Sequence, residues 1–321
     1  MKTLANLLAF VATFCAAASV LAQDSYPNRP IRIIVPFPPG GGTDIVSRTV
    51  AARLTESWKQ AVVVENRPGG NTLIGAEAAA RSAPDGYTLL AAIDSTLAMN
   101  PSLYAKLSYD AVKDFVPITL ATSYPLILEA TPSFAAKDMR ELIAMLKSEG
   151  AKINVAYPAL PAQVAGELMK SVLGVTFTGV NYKGGAPALQ DVMAGHVPLV
   201  LDALGPSLPH VKSGKVKPYA VTSKRRSAAL PDVPTFTELG YPEMEVITWV
   251  GYLAPAGTRD DIVRKLNAEF VRVLKLPDVR ERFAGLGTDI HGTTPEEFAA
   301  QIRSDTAKFG KVIKAANIKV E

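Results

Sequence analysis

The chain is expected to fold as an α/β protein of two domains, each a sheet flanked by helices, with a ligand held in the cleft between them. Three observations lead there. Short apolar runs alternate with helical segments along almost the whole length, a glycine-rich loop joins the first strand to the first helix, and 321 residues suit two α/β domains better than one open sheet. Ligands of such sheets sit at the carboxyl ends of strands, so two facing domains make a cleft there.

The elements follow in order, each short, apolar and bounded by Gly, Pro or Asn. Ile31–Val35 reads as a strand, Thr43–Trp58 as a helix, Val62–Glu65 as a strand, Thr72–Ala80 as a helix and Tyr87–Ala92 as a strand. Ile118–Ala121 and Leu126–Ala130 read as a strand pair or a long crossover. Lys137–Lys147 is helical, Ile153–Ala156 a strand, Ala162–Leu173 a helix and Thr176–Tyr182 a strand. Pro187–Met193 starts a further helix, proline being favoured in a first turn. Val197–Leu201 and Pro218–Thr222 are strands with Leu208–Val211 between them, and Met244–Leu253 is extended. Helices near Asp260–Leu274 and Pro295–Ala316 finish the chain and are expected to pack on the first domain. No low-complexity linker divides it, so the domains are expected at 25–124 plus 246–321 and at 125–245, joined by extended crossovers.

The run Ile33-Ile34-Val35-Pro36-Phe37-Pro38-Pro39-Gly40-Gly41-Gly42-Thr43-Asp44 carries the most information. Glycine lacks a Cβ, so a ligand can approach the backbone closely. The first amides of the following helix have no internal partner and sit at the positive end of its dipole. Such a loop suits an anion, a carboxylate or a phosphate. Ordinary strand-to-helix turns share the pattern, so the loop alone leaves both readings open. Ile45 stands where G-x-G-x-x-G needs its third glycine, and no G-x-x-x-x-G-K-[ST] occurs, which argues against a dinucleotide or nucleoside triphosphate.

At the N-terminus, Lys2 precedes an apolar stretch from Leu4 to Phe14 and then small residues through Ala22. This is the pattern of a secretory signal peptide, 1–22, cleaved after Ala22. Phe14 before Cys15 is not the small residue a lipoprotein signal requires. Cys15 is the only cysteine, so the mature chain has no disulfide, thiol nucleophile or thiolate metal site. His196, His210 and His291 lie far apart without ligand spacing, and no metal or cofactor is expected. Lys2 is one of 34 Lys and Arg, and its removal leaves 33 against 30 Asp and Glu. That mild excess, with Lys224-Arg225-Arg226 as its densest cluster, does not point to nucleic acid.

A further set of segments runs through nearly the whole mature chain: Tyr26-Pro27-Asn28-Arg29-Pro30, Glu65-Asn66-Arg67-Pro68-Gly69-Gly70, Pro84-Asp85-Gly86-Tyr87-Thr88-Leu89 and Asn100-Pro101-Ser102-Leu103-Tyr104. Tyr182-Lys183-Gly184-Gly185-Ala186-Pro187-Ala188-Leu189, Ala220-Val221-Thr222-Ser223, Leu230-Pro231-Asp232-Val233-Pro234-Thr235 and Leu253-Ala254-Pro255-Ala256-Gly257-Thr258 complete it. In that order they resemble the Bug-type substrate-binding proteins of tripartite tricarboxylate transporters. The resemblance implies a two-domain periplasmic binding-protein fold (type II-like), with mixed sheets, that closes on a small carboxylate and delivers it to membrane permease subunits. It also implies a monomer and a periplasmic location.

Carried over by the resemblance, the first jaw is Phe37, Gly41, Gly42, Thr43 and Asp44, with Asp44 better explained as a helix-start residue satisfying local amides. The second jaw departs from the family. Relatives carry a Gly- and Ser-rich loop followed by His, where this chain reads Tyr157-Pro158-Ala159-Leu160-Pro161-Ala162-Gln163. The two prolines offer no N–H, leaving Tyr157, the Ala159 and Ala162 amides and Gln163 as candidates. At the third strand, Ser95-Thr96-Leu97 stands where relatives often have His after the Ser-Thr pair. The apolar replacements fit a less polar ligand, aromatic or aliphatic, and equally a site with an unrelated ligand. Asp202, after an apolar run, is either a cleft residue accepting from water or a ligand amine or hydroxyl, or a helix cap. Asp94, Ser95 and Thr96 at a strand's carboxyl end and Lys183-Gly184 are further candidates, with Lys183 read as a rim or hinge residue, and Trp249 reads as buried at a hinge or stacked on the ligand.

The leading function is solute binding without turnover. An enzyme on the same architecture lacks any G-x-S-x-G elbow, metal-binding histidine pair or cofactor fingerprint, though a Ser-His pair formed only in space would not show in the sequence. A ligand-sensing receptor for a signalling partner uses the same bound state and is not separated from transport by sequence.

Overall fold

The computed structural model describes residues 26–315 and 318; the expected leader, 1–22, lies outside the described residues. The first half of the chain builds β1 (Ile31–Val35), α1 (Gly42–Trp58), β2 (Val62–Asn66), α2 (Leu73–Ala80) and β3 (Thr88–Ile93). A π-helix (Ser95–Met99) and the short α3 (Asn100–Leu103) lead to the long β4 (Phe115–Ala130). There follow α4 (Met139–Glu149), β5 (Asn154–Tyr157), α5 (Leu160–Leu173), β6 (Thr178–Asn181), α6 (Gly185–Ala194), β7 (Leu199–Ala203), α7 (Leu204–Lys212) and β8 (Lys217–Val221). The chain returns through β9 (Ile247–Pro255), α8 (Asp260–Leu274), α9 (Pro277–Gly285), β10 (Asp289–Ile290) and α10 (Pro295–Ala315).

Two mixed sheets share β4. Its first part, to Pro125, pairs antiparallel with β9 and β10, and the order continues β9-β3-β1-β2, with β1 parallel to both β2 and β3. From Leu126 the same strand pairs antiparallel with β7 on one edge and β8 on the other, and β7-β5-β6 continue in parallel. The sequence expectation of a strand pair or crossover over 118–130 resolves as one continuous strand, nearly all of it buried. A strand covered on both faces carries a near-continuous apolar run, so alternation gives no cue to its extent. The change of partners falls at Pro125, which lacks an N–H to donate.

Each sheet has its own core. In the first lobe Ile31, Ile33 and Val35 of β1, Val46, Val50 and Leu54 of α1, Tyr252 of β9 and Phe270 of α8 pack on one face. The opposite face takes Ile34, Leu90, Leu253 and α10 through Phe298 and Ile302. The second lobe centres on Leu128, Leu142, Val155, Met169 and Leu201. Trp249 is buried, donates its indole N–H to Asp305 Oδ2 at 2.7 Å and meets the Phe298 ring edge-on at 5.2 Å. Its burial reading therefore holds, and α10 is fastened to β9 by this contact.

Sequence reading missed α9, although Pro277 sits in the favoured first turn, and placed no helix at Leu204–Lys212, where Pro206 and Pro209 obscure the pattern. One small cluster joins the lobes: Leu160 and Val164 at the start of α5 pack with Ala98 and Met99 of the π-helix and with Phe309 and Ile313 of α10. Among the described residues no helix is long and apolar enough to cross a membrane.

Candidate functional site

Four helices start at one cavity between the lobes. Gly41, Ala159, Gly184 and Ala203 are the N-caps of α1, α5, α6 and α7, and all four line it. None of these caps supplies a side-chain hydrogen bond to its helix, unlike Asp138, whose side chain accepts from the Glu141 amide at the start of α4. The first-turn amides of a helix are orphan donors at its positive end. Leaving them uncapped around a shared space makes an anion site without any cation. No Lys, Arg or His is among the cavity-lining residues.

The inner cavity is small, about 70 Å³, and its walls include Phe37, Ile93, Leu126, Pro158, Pro161 and Leu201. A wider groove of about 570 Å³ adjoins it and shares Phe37, Pro38, Pro158, Ala159 and Gly184. The lobes meet here: a Cβ on Gly184 would stand 3.2 Å from the Pro38 ring.

The polar side chains of the cavity are Thr43, Tyr124, Asp202 and Thr248. Tyr124 lies beside Thr43, and burial, with Asp94 and Asp202 nearby, raises its phenol pKa, so it stays a neutral hydroxyl. Asp202 is 5 % exposed; its Oδ1 accepts the Ala203 amide at 2.7 Å, while Oδ2 has no partner. Burial pushes its pKa up to about 7 against the pull of that amide. Thr248 also keeps a buried hydroxyl without a partner.

A family model described as the tripartite tricarboxylate transporter family receptor matches residues 46–318. The chain belongs to that family. Protein BugT of Bordetella pertussis is 36% identical over 322 residues, covering 98% of this chain and 99% of that protein. Among solved structures, R. palustris Rpa4515 with adipate superposes with a TM-score of 0.89 at 32% identity, covering 92% of this chain and 99% of that one. MatC from Rhodopseudomonas palustris with bound malate gives a TM-score of 0.85 at 34% identity, covering 90% and 100%. These similarities extend over both lobes, as the two-domain reading requires.

Against this tripartite-receptor background, the residues predicted from sequence separate into two groups. Phe37, Gly41, Gly42, Thr43, Ala159, Ala162 and Asp202 line the cavity. Asp44, Ser95, Thr96, Tyr157 and Gln163 do not. Asp44 braces the loop: its carboxylate accepts from the Gly40 amide at 2.9 Å, Arg48 Nε at 3.0 Å and Asn66 Nδ2 at 2.9 Å. Burial alone would raise its pKa, but Arg48, the Gly40 amide and Asn66 outweigh it and hold it low. Ser95 and Thr96 turn into the first lobe because the π-helix starts directly after β3. Ser95 donates its amide to Asp94 and touches only the outer groove, while the Thr96 carbonyl accepts from Tyr109. Gln163, one turn into α5, sends its own amide back to the Ala159 carbonyl at 3.3 Å and stands off the cavity wall.

Tyr157 is turned into the second core, its ring filling the space that Gly166 and Gly179 leave open. Glu167 lies close to the phenol, and burial together with that carboxylate raises the Tyr157 pKa. Tyr157→Phe is therefore expected to leave ligand affinity unchanged and to shift stability by no more than about 1 kcal/mol; a titration and a melt of the same variant check both.

In the second-jaw segment the Ala162 amide is already spent on the Ala159 carbonyl at 3.0 Å, and Pro161 has none. Gly185 and Ala186, in the first turn of α6, also line the cavity. The Gly184-Gly185-Ala186-Pro187 run was visible in the sequence as a helix start. Tyr124 and Thr248 were not, because they reach the cavity through the pairing of β4 with β9. Lys183 is exposed on the outer groove.

Proposed function

We propose that this chain is an extracytoplasmic solute-binding protein that captures a small carboxylate between its lobes and presents it to membrane permease subunits. The observation that carries the reading is the convergence of uncapped helix N-termini on one cavity with no cation among its lining residues. The ligand carboxylate takes the amides of Gly42, Thr43, Gly185 and Ala186, and its body lies against apolar walls that suit a weakly polar skeleton. The family's description as a transporter receptor, and adipate and malate in two similar structures, support a carboxylate and a permease partner.

The lobes divide at about 124/125 and 245/246, and closure is a hinge motion about these crossings. The change of β4 from β9 to β7 and β8 after Pro125 supports that division. The protein acts as a monomer in the periplasm after removal of 1–22. It performs no catalysis. Ser123 Oγ and His291 Nε2 do meet at 2.8 Å, but outside the cavity, and among the described residues no acid hydrogen-bonds the other imidazole nitrogen.

The test is a thermal-shift screen of mature protein, refolded to free it of carried-over ligand, against aliphatic, amino and aromatic carboxylates. A ligand present at 100 times its Kd stabilises by about 2.7 kcal/mol. A clear shift with one class is the expected result. Correctly folded protein that responds to no carboxylate would refute the proposal.

A further inference from the structure

Resting on that reading, we propose that Asp202 selects carboxylates bearing a hydrogen-bond donor, a hydroxyl or an ammonium group, close to the carboxylate, and that its unpartnered Oδ2 accepts from this donor. Asp202 is the one charged side chain among the cavity-lining residues. It is held in place from below, with Oδ1 on the Ala203 amide at 2.7 Å, so Oδ2 has a fixed direction. Gly185 packs closely beside Oδ2, since a Cβ there would stand 2.9 Å from it, so any larger residue at this position would crowd the oxygen. The same Gly185 belongs to the amide set that takes the carboxylate, so the two recognition points are neighbours.

The electrostatics then decide what ligand fits. An anion placed beside an ionised carboxylate is repelled, the more strongly the lower the effective dielectric. No cation lines the cavity to offset this. An orphaned buried acceptor is itself costly; a hydroxyl on the ligand removes that cost, and an ammonium removes it while also offsetting the repulsion. A plain alkanoate removes neither. Burial brings the Asp202 carboxyl to about 7, so near neutral pH the empty site stands at the edge of ionisation, and a donor tips it to the charged, accepting form. The apolar remainder of the wall, Phe37, Ile93, Leu126 and Leu201, leaves the rest of the ligand undemanding.

The experiment is isothermal titration of the refolded mature protein with a matched series, propanoate to hexanoate, each unsubstituted, 2-hydroxylated and 2-aminated. The expected result is that at least one substituted acid binds tenfold or more tightly than its parent. Asp202→Asn keeps an acceptor oxygen but loses the charge, so it should abolish a preference for the amine and leave part of a preference for the hydroxyl. Asp202→Ala should abolish both, and the pattern across the two variants tells which donor the site takes. Parents binding as well as their derivatives would overturn the proposal, as would an unchanged ratio in Asp202→Ala. Should the alanine variant fail to melt cooperatively, the asparagine variant decides alone: an unchanged amine-to-parent ratio counts against the proposal, and so does an unchanged hydroxyl-to-parent ratio accompanied by uniformly tighter binding. Absence of binding by every acid would refute the carboxylate reading and this inference with it, whereas binding without preference refutes the inference only.

Discussion

Gly41→Leu is expected to weaken carboxylate binding by roughly 100-fold or more, about 2.7 kcal/mol, while the melting temperature stays within about 2 °C of the parent. The backbone at Gly41 has φ −78°, a value any L-residue adopts. The nearest atom a Cβ would meet there is the Pro38 carbonyl oxygen at 3.9 Å. A leucine therefore costs the fold little and fills a cavity of about 70 Å³. Its neighbours would give a less clear answer. Gly40 has φ +86°, and a Cβ on Gly42 would stand 3.2 Å from the Tyr124 ring, so either change disturbs the loop itself. Titration and a thermal melt of Gly41→Leu check both halves, and retained affinity would remove the first jaw from the site.

The second large effect concerns pH and stability. Glu129 is completely buried on β4; Oε1 accepts the Ser207 hydroxyl at 2.7 Å and Oε2 has no partner. Burial, with Asp202 adding to it, pushes its pKa up to about 8. The folded value lies above the unfolded one, so the folded state binds the proton more tightly. Its stabilisation is fully present below the unfolded pKa of 4.5 and is lost as pH rises towards about 8. The slope approaches about 1.4 kcal/mol per pH unit within that window. Asp94, buried and likewise raised, acts in the same direction, as does Asp202. Glu129→Gln keeps an acceptor for Ser207 and cannot ionise. Relative to the parent it is expected to gain stability steadily between pH 5 and pH 8, by several degrees in melting temperature. A constant difference across that range would show that Glu129 is not protonated in the folded protein.

The first jaw was legible because its signal is local. Strand, glycines and helix start follow one another from Ile33 to Asp44, and the chain needs no distant partner to form them. The place of Asp202 on the cavity wall follows from an equally local cue, its position at the carboxyl end of a strand. Tyr157 was misplaced because a residue at a strand end can face either the cleft or the core, and the choice depends on Gly166 and Gly179, which neighbour it only in space. Ser95 and Thr96 stand off the inner cavity because they lie in a π-helix, which no propensity rule announces. In the segment where relatives place the second jaw, Pro158 and Pro161 carry no N–H, while Gly184, a candidate by sequence, opens the helix whose first turn also lines the cavity. In the fold, the choice between a strand pair and a long crossover over β4 stays open by sequence because continuous burial erases alternation, and Tyr124 and Thr248 stay hidden because strand register is a property of the whole sheet.

Leu160, read from sequence as apolar surface added to the ligand loop, instead faces Met99, Phe309 and Ile313 across the lobe boundary. In the hinge motion proposed above, opening would pull these side chains apart and wet them. The shut form would then carry a standing bias that owes nothing to the solute, and the measured affinity would be the intrinsic one scaled by how often the empty trap is already shut. Two receptors with identical cavities can differ in apparent affinity through this remote cluster alone. Trimming Phe309 would tune the protein's sensitivity while leaving its choice of solute untouched.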